Sequence, residues 1–301
     1  MSQTSIQSQL LEFRPDHQFF VGVDSDGCMF DSMEIKHKEC FIPSFIQHFH
    51  LQNISRYARE VWEFVNLYSK TRGLNRFPAL RLALDLLRDH PRVKEKGVTI
   101  PKVPGLNHWV ETSTSFSMTS LDMQIVKDSS PDLIQIRDWS ADVNQRIKTM
   151  VWGLRPFTHG KTFLEMATTQ ADIMIVSQTD RATLNREWQE AEILTHTKLV
   201  AGQEMGSKAE QLDLAAKNKY PSSRILMIGD APGDLEAAVK TGALFFPIIP
   251  GREEECWNEL ITRGFQKFLT GSYEGSYQNR YIKEFQAMLP DHPTWLHKAV
   301  T

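Results

Sequence analysis

Four aspartates stand in two short clusters, and their spacing suits chemistry on a charged substrate. Asp24 and Asp26 lie in the segment VDSDG, while Asp230 and Asp234 lie in GDAPGD. Side chains alternate in direction along a strand, so Asp24 and Asp26 start out toward the same side. Two carboxylates this close repel each other unless a cation or a proton lies between them. An aspartate-rich turn explains the first cluster equally well, and Asp234 alone could be a helix cap, but Asp230 has no such explanation.

A serine and a lysine follow other apolar segments and extend the candidate site. Ser177 ends the run ADIMIVS and is followed by Gln178, so a hydroxyl and free backbone N–H groups there could hold an oxyanion. Lys208 lies near the start of SKAEQLDLAAKNK. Taken singly, the serine is more typical of a turn or a helix cap, and the lysine of a solvated surface.

The elements that must position these residues follow from the hydrophobic pattern. Phe19 to Val23 is a short apolar run that predicts a buried strand leading into the first aspartate cluster. After Pro156, the runs ADIMIVS, ILTHTKLV, RILMIGD and ALFFPII alternate with helix-like stretches. This alternation predicts an α/β fold with a parallel sheet covered on both faces. In such folds, ligands bind beyond the carboxyl ends of the strands, where all the candidate residues fall.

The segment between the first strand and the later ones has a different hydrophobic pattern. From about Met33 to Met150, apolar residues recur at three- and four-residue spacing, which predicts helices almost throughout. One strand cannot form a domain alone, so we predict an α/β core of residues 1–31 and 155–301, interrupted by an all-helical insertion at 32–154. The tail SYQNRYIKEFQAMLPDHPTWLHKAV is either a docked helix or a dimer contact, and the sequence leaves the oligomeric state open.

Composition excludes several classes of function. Lys and Arg total 34 against 37 Asp and Glu, a net charge of −3 that argues against a general nucleic-acid binder. Three scattered cysteines do not predict a disulfide framework or a cysteine-based zinc site, and Cys28 is better explained as a small buried residue than as a nucleophile. The N-terminus has no signal-peptide pattern, and no apolar run approaches the ~20 residues of a membrane span. We expect a soluble, cytoplasmic protein that acts without nucleic acid or a membrane.

In chain order, these motifs resemble those of the haloacid dehalogenase superfamily. VDSDGCMFDS is similar to the nucleophile loop of that family, IVSQTD to its second motif, and IGDAPGDLEAAVKTGA to its acidic motif. Gln178 stands where asparagine is frequent. The resemblance implies a Rossmann-like, doubly wound parallel-sheet core and a mobile helical cap inserted after the first motif. The predicted cap is larger than usual, so the resemblance carries over no particular substrate.

The resemblance also implies a role for each residue. Asp24 would be nucleophile and metal ligand, Asp26 general acid/base with its backbone carbonyl on the metal, Asp230 a further metal ligand, Asp234 a support for Asp230 or a metal-bound water, Lys208 a neutralising cation, and Ser177 a donor to a phosphate oxygen. Mg²⁺ suits an all-oxygen site of this kind. Neutralisation matters because two unit charges 4 Å apart interact by ~4 kcal/mol at an effective dielectric of ~20.

Asp26 separates the family's branches, because dehalogenases lack an aspartate at that position whereas phosphatases and phosphoglucomutases have one. We therefore expect a Mg²⁺-dependent phosphatase acting on a small phosphorylated metabolite. A sugar-phosphate mutase of the same family is one alternative. A catalytically silent binding protein is another, although Asp24, Asp26, Lys208 and Asp230 are all intact.

Substrate-binding residues are predicted in two places. Gln178 follows the predicted phosphate-binding serine, and Arg72 and Arg76 lie in TRGLNRFPALRLALDLL within the predicted insertion. Similar Gly-x-x-Arg loops face the active site in capped phosphatases and mutases of the family. An arginine offers a planar fork that suits phosphate or carboxylate oxygens. The alternative is that both arginines lie in water at a turn between helices.

Overall fold

The chain divides into two compact units. The computed structural model describes residues 3–113 and 115–296. The first unit, here the α/β unit, comprises residues 3–33 and 152–288, and the second, the helical unit, comprises 34–151 and 289–296. The longer part of the helical unit spans 34–151, where the predicted insertion spans 32–154.

The tail divides differently from the prediction, which placed residues 155–301 in the α/β core. Residues 289–296 belong to the helical unit, where the Trp295 ring packs 5.4 Å from Phe64 and stacks 5.4 Å from His90, centroid to centroid. Residues 297–301 lie outside the described residues. Aromatic packing of this kind explains why the last described segment leaves the α/β unit.

Within the described residues, five strands form one parallel sheet. The strands are β1 (Phe19–Val23), β2 (Ala171–Val176), β3 (Leu199–Ala201), β4 (Ile225–Gly229) and β5 (Leu244–Pro247), in the order β3-β2-β1-β4-β5. The predicted strand ILTHTKLV is reduced to β3, because a 3₁₀ turn occupies Leu194–His196.

The helices, in chain order, cover most of the remaining chain. They are α1 (Gln3–Glu12), α2 (Ser32–Ile35), α3 (Ile42–His48), α4 (Ser55–Asn66), α5 (Arg76–Asp89), α6 (Pro91–Glu95), α7 (Pro104–Thr112), α8 (Met118–Lys127), α9 (Pro131–Met150), α10 (Thr158–Ala167), α11 (Arg181–Glu190), α12 (Lys208–Ala216), α13 (Pro232–Thr241), α14 (Glu253–Glu259), α15 (Phe265–Leu269) and α16 (Ser276–Met288). Shorter 3₁₀ turns lie at Gln52–Ile54, Gln203–Met205, Ser222–Arg224 and Thr294–Leu296, and π turns at Lys36–Phe41 and Leu260–Gly264. Within residues 3–113 and 115–296, no helix has both the length and the apolar composition needed to cross a membrane.

The strand order fixes where a ligand can bind. The chain runs outward from β1 to β3, then returns to β4 beside β1 and continues to β5. Parallel crossovers are right-handed, so the helices of the two halves cover opposite faces of the sheet. The order reverses between β1 and β4, and ligands bind beyond the carboxyl ends of the strands at such a point. The predicted Rossmann-like, doubly wound fold is confirmed.

Two further helices pack within the α/β unit, α16 against the sheet and α1 against α12. In α16, Tyr281 and Phe285 are buried, and their rings lie 5.6 Å from Phe246 and 6.0 Å from Phe245 of β5. The first part of the tail is therefore a docked helix. Helix α1 contacts α12 and the turn that precedes α12, and its Leu10 is buried.

The helical unit has a core of its own. It is built on large aromatic side chains, including the fully buried Trp62 and Trp139, whose ring centroids lie 5.8 Å apart. Helix α9 opens at Pro131 and buries apolar side chains such as Leu133, Ile136 and Val143 in this core.

Candidate active site

The first aspartate cluster leaves β1 at the point where the strand order reverses. The backbone N–H of Asp24 donates to the carbonyl of Ile228 at 2.9 Å, which continues the pairing of β1 with β4. Gly27 then takes a φ of 79°, a conformation that favours glycine, and its N–H donates to Phe30 at 2.8 Å. The chain turns sharply here and leaves both aspartates at the sheet edge.

Three carboxylates and one ammonium group meet at this edge. Asp24, Asp230 and Asp234 are buried, and each offers an oxygen within 4.8 Å of the others. The Nζ atom of Lys208 lies 2.9 Å from Asp24 Oδ2 and 2.5 Å from Asp234 Oδ1. Residues far apart in sequence, from the ends of β1 and β4 and the start of α12, therefore form one charged cluster.

The electrostatics of this cluster depend on its burial. Burial raises the pKa of Asp24 well above its usual value, and the charges of Asp234 and Asp230 raise it further, while Lys208 opposes both effects. Burial alone would lower the pKa of Lys208, but Asp234 and Asp24 together raise it above its usual value. The lysine is thus a fixed cation. Additional positive charge at this point would favour the ionised form of Asp24.

Local sequence explains how Asp234 reaches the cluster. It lies in the first turn of α13, where its Oδ2 accepts a hydrogen bond from the N–H of Ala231 at 3.0 Å. The last residue of β4, Gly229, passes directly beneath this carboxyl group. A Cβ atom there would collide with the Cβ and Cγ atoms of Asp234. Only glycine permits this approach, so Gly229 is part of the site although it carries no functional group.

Lys208 is positioned by the start of its helix. Ser207 caps α12: its hydroxyl accepts from the Glu210 N–H at 3.3 Å, and its own N–H donates to Glu210 Oε2 at 2.7 Å. This reciprocal cap fixes the helix start. Since Lys208 is the first residue after the cap, the cap also fixes the position of its backbone.

Two hydroxyl groups hold the carboxyl group of Asp26. Ser32 Oγ donates to its Oδ1, and Thr179 Oγ1 donates to its Oδ2 at 2.8 Å. Its predicted contact with a metal through the backbone carbonyl stays a prediction. The side chain is half-buried. The two aspartates of the first cluster therefore have different surroundings, which suits different chemical roles.

The second predicted motif follows β2. Ser177 is buried, and its Oγ accepts from the N–H of Thr179 at 3.1 Å. A hydroxyl that accepts one hydrogen bond can still donate its own proton, so this contact leaves the Ser177 hydroxyl proton for the predicted donation to a phosphate oxygen, which stays a prediction. Gln178 is exposed, and its amide nitrogen donates to the carbonyl of Gly206 at 3.1 Å. Its predicted contact with substrate stays a prediction.

The two predicted arginines belong to the helical unit. Arg72 is buried and donates to the carbonyl of Leu67 at 3.0 Å, so the alternative that both arginines lie in water is wrong for this one. Arg76 is half-buried, donates to Ser140 Oγ at 3.0 Å, and lies 5.1 Å from the centre of the Phe41 ring. Both therefore have structural contacts within this unit, and their contact with substrate stays a prediction.

Sequence reasoning missed four residues that complete the α/β site. Ser32 and Thr179 hold Asp26, and Gly229 admits Asp234. The amide nitrogen of the fully buried Gln211 lies 3.0 Å from three carbonyl oxygens, those of Ser177, Gly202 and Gly206, which share its two N–H groups. The hydroxyls were present in the quoted motifs VDSDGCMFDS and IVSQTD. Nothing in the sequence shows which hydroxyl reaches which carboxylate.

The carboxylate cluster fits a divalent cation. Three buried carboxylates face one lysine, an arrangement in which like charges repel without further positive charge. All the donor atoms are oxygens, the ligand type that Mg²⁺ prefers. Asp24 and Asp230 are the residues that would hold the ion. Both oxygens of Asp234 already accept hydrogen bonds, from Lys208 and from Ala231.

Comparison with known proteins gives similar structures but no related sequence. No family model matches the chain, and no curated protein matches it. A haloacid dehalogenase-like hydrolase from Streptococcus pneumoniae is similar over 79% of this chain and 90% of its own, with 15% identity and a TM-score of 0.44.

Two other similar structures carry more specific names. A protein from Haemophilus somnus described as a predicted phosphoglycolate phosphatase is 14% identical over 80% of this chain and 93% of its own, with a TM-score of 0.47. The L-2-haloacid dehalogenase from Xanthobacter autotrophicus is 14% identical over 91% of this chain and 89% of its own, with a TM-score of 0.40.

Proposed function

We propose that this chain is a Mg²⁺-dependent phosphatase of the haloacid dehalogenase type, which hydrolyses a small phosphorylated metabolite through an aspartyl phosphate on Asp24. The observation that carries the proposal is the position of Lys208, whose ammonium group contacts Asp24 and Asp234 within a buried carboxylate cluster. This cluster then contains a nucleophile, a fixed cation and metal-binding carboxylates. We also expect a cytoplasmic enzyme that acts without nucleic acid or a membrane.

In the first step, an Asp24 oxygen attacks phosphorus and the bond from phosphorus to the ester oxygen breaks. Asp26, as the acid, gives its proton to the leaving alcohol. Lys208 offsets the repulsion between the anionic nucleophile and the anionic phosphate, a term of ~4 kcal/mol for unit charges 4 Å apart at an effective dielectric of ~20. Bound Mg²⁺ adds positive charge for the same purpose.

In the second step, water attacks the phosphorus of the aspartyl phosphate. The bond between phosphorus and Asp24 breaks, and Asp26, now the base, takes the proton from water. Inorganic phosphate leaves, and both aspartates return to their starting state. The separate surroundings of Asp24 and Asp26 support this division of roles, since Lys208 contacts the first and hydroxyl groups hold the second.

The test is a screen of phosphate monoesters with Mg²⁺, followed by assays of three variants. Asp24→Asn should abolish phosphate release, and Asp26→Asn should lower kcat by ~10²–10⁴-fold, the usual loss with an acid/base group. The exposed Asp31 lies on the same loop, so Asp31→Asn is the matched control and should leave kcat unchanged. Phosphate release by Asp24→Asn at the wild-type rate would rule out this mechanism.

A stable analogue tests the intermediate directly. Beryllofluoride with Mg²⁺ mimics an aspartyl phosphate, so the wild type should bind it and Asp24→Asn should not. Calorimetry measures this binding without turnover. Binding of equal strength by the Asn variant would show that the analogue does not occupy Asp24.

A further inference from the structure

Both carboxylate oxygens of Asp26 accept a hydrogen bond from a hydroxyl group, one from Ser32 and one from Thr179. A carboxylate has about four lone pairs, so each oxygen keeps one for a substrate proton. The two contacts restrict rotation of the carboxyl group but leave it able to bind or release a proton. A proton donor or acceptor must hold its orientation to act in the transition state, and a displacement of about 1 Å can cost ~10²-fold in rate.

The backbone of Thr179 is itself anchored on both sides. Its N–H donates to Ser177 Oγ at 3.1 Å, and its carbonyl accepts from the N–H of Gln203 at 3.1 Å. Gly202, one residue earlier, lies so close that a Cβ atom there would stand 2.9 Å from the Thr179 carbonyl oxygen. The side chain therefore starts from a backbone position that neighbouring segments determine.

From this arrangement we infer that Thr179 is a positioning residue for the acid/base step: its hydroxyl holds the Asp26 carboxyl group in the orientation that transfers a proton to the leaving alcohol. This inference rests on the proposed function. Thr179 is a better test than Ser32, which is fully buried at the start of α2. Thr179 is only half-buried, and its backbone contacts do not involve its hydroxyl.

Substitution can remove the hydroxyl while keeping the shape of the side chain. Thr179→Val is nearly isosteric and cannot donate to Asp26, whereas Thr179→Ser keeps the donor. Thr162 is exposed on α10 of the same unit, where its hydroxyl donates to the carbonyl of Thr158. Thr162→Val thus makes the same chemical change away from the site.

The experiment compares two substrates that differ in their need for an acid. An alkyl phosphate releases a strongly basic alkoxide and requires protonation, whereas p-nitrophenyl phosphate releases a stable phenoxide. We expect Thr179→Val to lower kcat/KM for the alkyl ester by ~10–10²-fold, a part of the usual acid/base contribution. This constant reports the steps up to phosphoryl transfer and leaves out hydrolysis of the aspartyl phosphate, which is the same for both esters and also uses Asp26. The loss of kcat/KM on p-nitrophenyl phosphate should be several times smaller. Thr179→Ser should restore kcat/KM, and Thr162→Val should match the wild type.

Each other outcome identifies what has failed. Equal losses on the two esters, no loss on either, or a Ser variant as slow as the Val variant would overturn the positioning role. Beryllofluoride binding with Mg²⁺ should survive in Thr179→Val, because Asp24 is untouched; its loss would show general damage and also count against the inference. If the wild type hydrolyses no ester and binds no beryllofluoride, the proposed function itself fails. Thermal unfolding checks each variant, and Thr179→Ala replaces a Val variant that does not fold.

Discussion

Asp24 and Cys28 lie on one loop, and both side chains are buried. Burial raises the pKa of both side chains well above their usual values. For Asp24, Lys208 opposes this effect from 2.9 Å, and a bound cation would oppose it further. The thiol of Cys28 points to the carbonyl of Ile228 at 3.7 Å, and the nearby carboxylates raise its pKa again. Burial and the neighbouring carboxylates therefore keep Cys28 as a neutral thiol.

A second titrating residue links pH to stability in the helical unit. His90 is buried, and its Nδ1 accepts from the Arg92 N–H at 3.2 Å, which caps α6. Burial lowers the pKa of His90 below its usual value of 6.5, although Glu60 opposes this effect. The unfolded chain then takes up a proton before the folded one. Stability contributed by neutral His90 is lost as pH falls from 6.5 through the lowered value.

We predict that His90→Asn weakens this pH dependence while keeping the cap, because asparagine can accept the same N–H but does not titrate. Urea denaturation at several pH values between 5 and 8 measures the free energy of unfolding. The wild type should lose more stability than the variant as pH falls. His90→Ala should also lose the cap, worth about 1 kcal/mol, at every pH. Parallel curves for wild type and His90→Asn would contradict the prediction.

Residues at the ends of apolar runs could be predicted from the sequence, whereas their partners could not. Asp24, Asp230 and Lys208 follow or precede recognisable elements, and parallel strands bring such positions to one sheet edge. The contacts of Thr179 with Asp26 and of Gly229 with Asp234 depend on side-chain rotamers and close backbone approach. These are properties of the packed structure, and no periodicity in the sequence encodes them.

At the scale of elements, α1 supports the helix that carries Lys208. Gln7 donates from its amide nitrogen to the carbonyl of Met205 at 3.1 Å, in the turn just before α12. The Nζ atom of Lys219, beyond the end of α12, donates to the carbonyl of Leu10 at 2.7 Å. Helix α1 thus contacts the segments that precede and follow α12. The sequence did not predict α1, because only three of its ten residues are apolar: Ile6, Leu10 and Leu11.

Two neighbouring leucines test whether α1 is docked in solution. Leu10 is 1% exposed and Leu11 is 57% exposed. Leu10→Ala should reduce the free energy of unfolding by about 2–5 kcal/mol, because it leaves a cavity in a packed contact. Leu11→Ala, the same change on the exposed side, should stay within about 0.5 kcal/mol of wild type. Urea denaturation measures both, and equal effects would show that α1 does not pack here.

The positions of the strands were easier to predict than their lengths. Apolar runs of β-branched and aromatic residues gave four of the strands nearly complete, because a parallel sheet buries both faces of each strand. The run ILTHTKLV contains the same residue types, yet Ile193 donates its N–H to Trp188 and the chain turns at Leu194–His196. Local hydrogen bonds at the end of α11 outweigh strand propensity there.

At the scale of the whole molecule, the near-neutral net charge of −3 conceals a concentrated negative site. Asp24, Asp230 and Asp234 are buried together, and Lys208 is the cation that contacts two of them. The stability of the protein should therefore depend on what neutralises this site. Because the pKa of Asp24 is raised in the fold, its ionised form destabilises the cation-free protein as pH rises above 3.8 toward the raised value.

The substitution Asp24→Asn should therefore change thermal stability in opposite directions without and with Mg²⁺. In EDTA at neutral pH, Asp24→Asn should melt at a higher temperature than the wild type, because a neutral amide replaces a buried charge among carboxylates. With Mg²⁺, the wild type should gain stability by mass action, about 2.7 kcal/mol at a hundred times the dissociation constant, and the variant should gain less. Asp31→Asn, on the exposed side of the same loop, should follow the wild type in both conditions. Calorimetry measures the melting temperatures of the three proteins. If Mg²⁺ does not change the melting temperature of the wild type, and Asp24→Asn melts at a lower temperature than the wild type in EDTA, the aspartate cluster is a structural network and not a cation site.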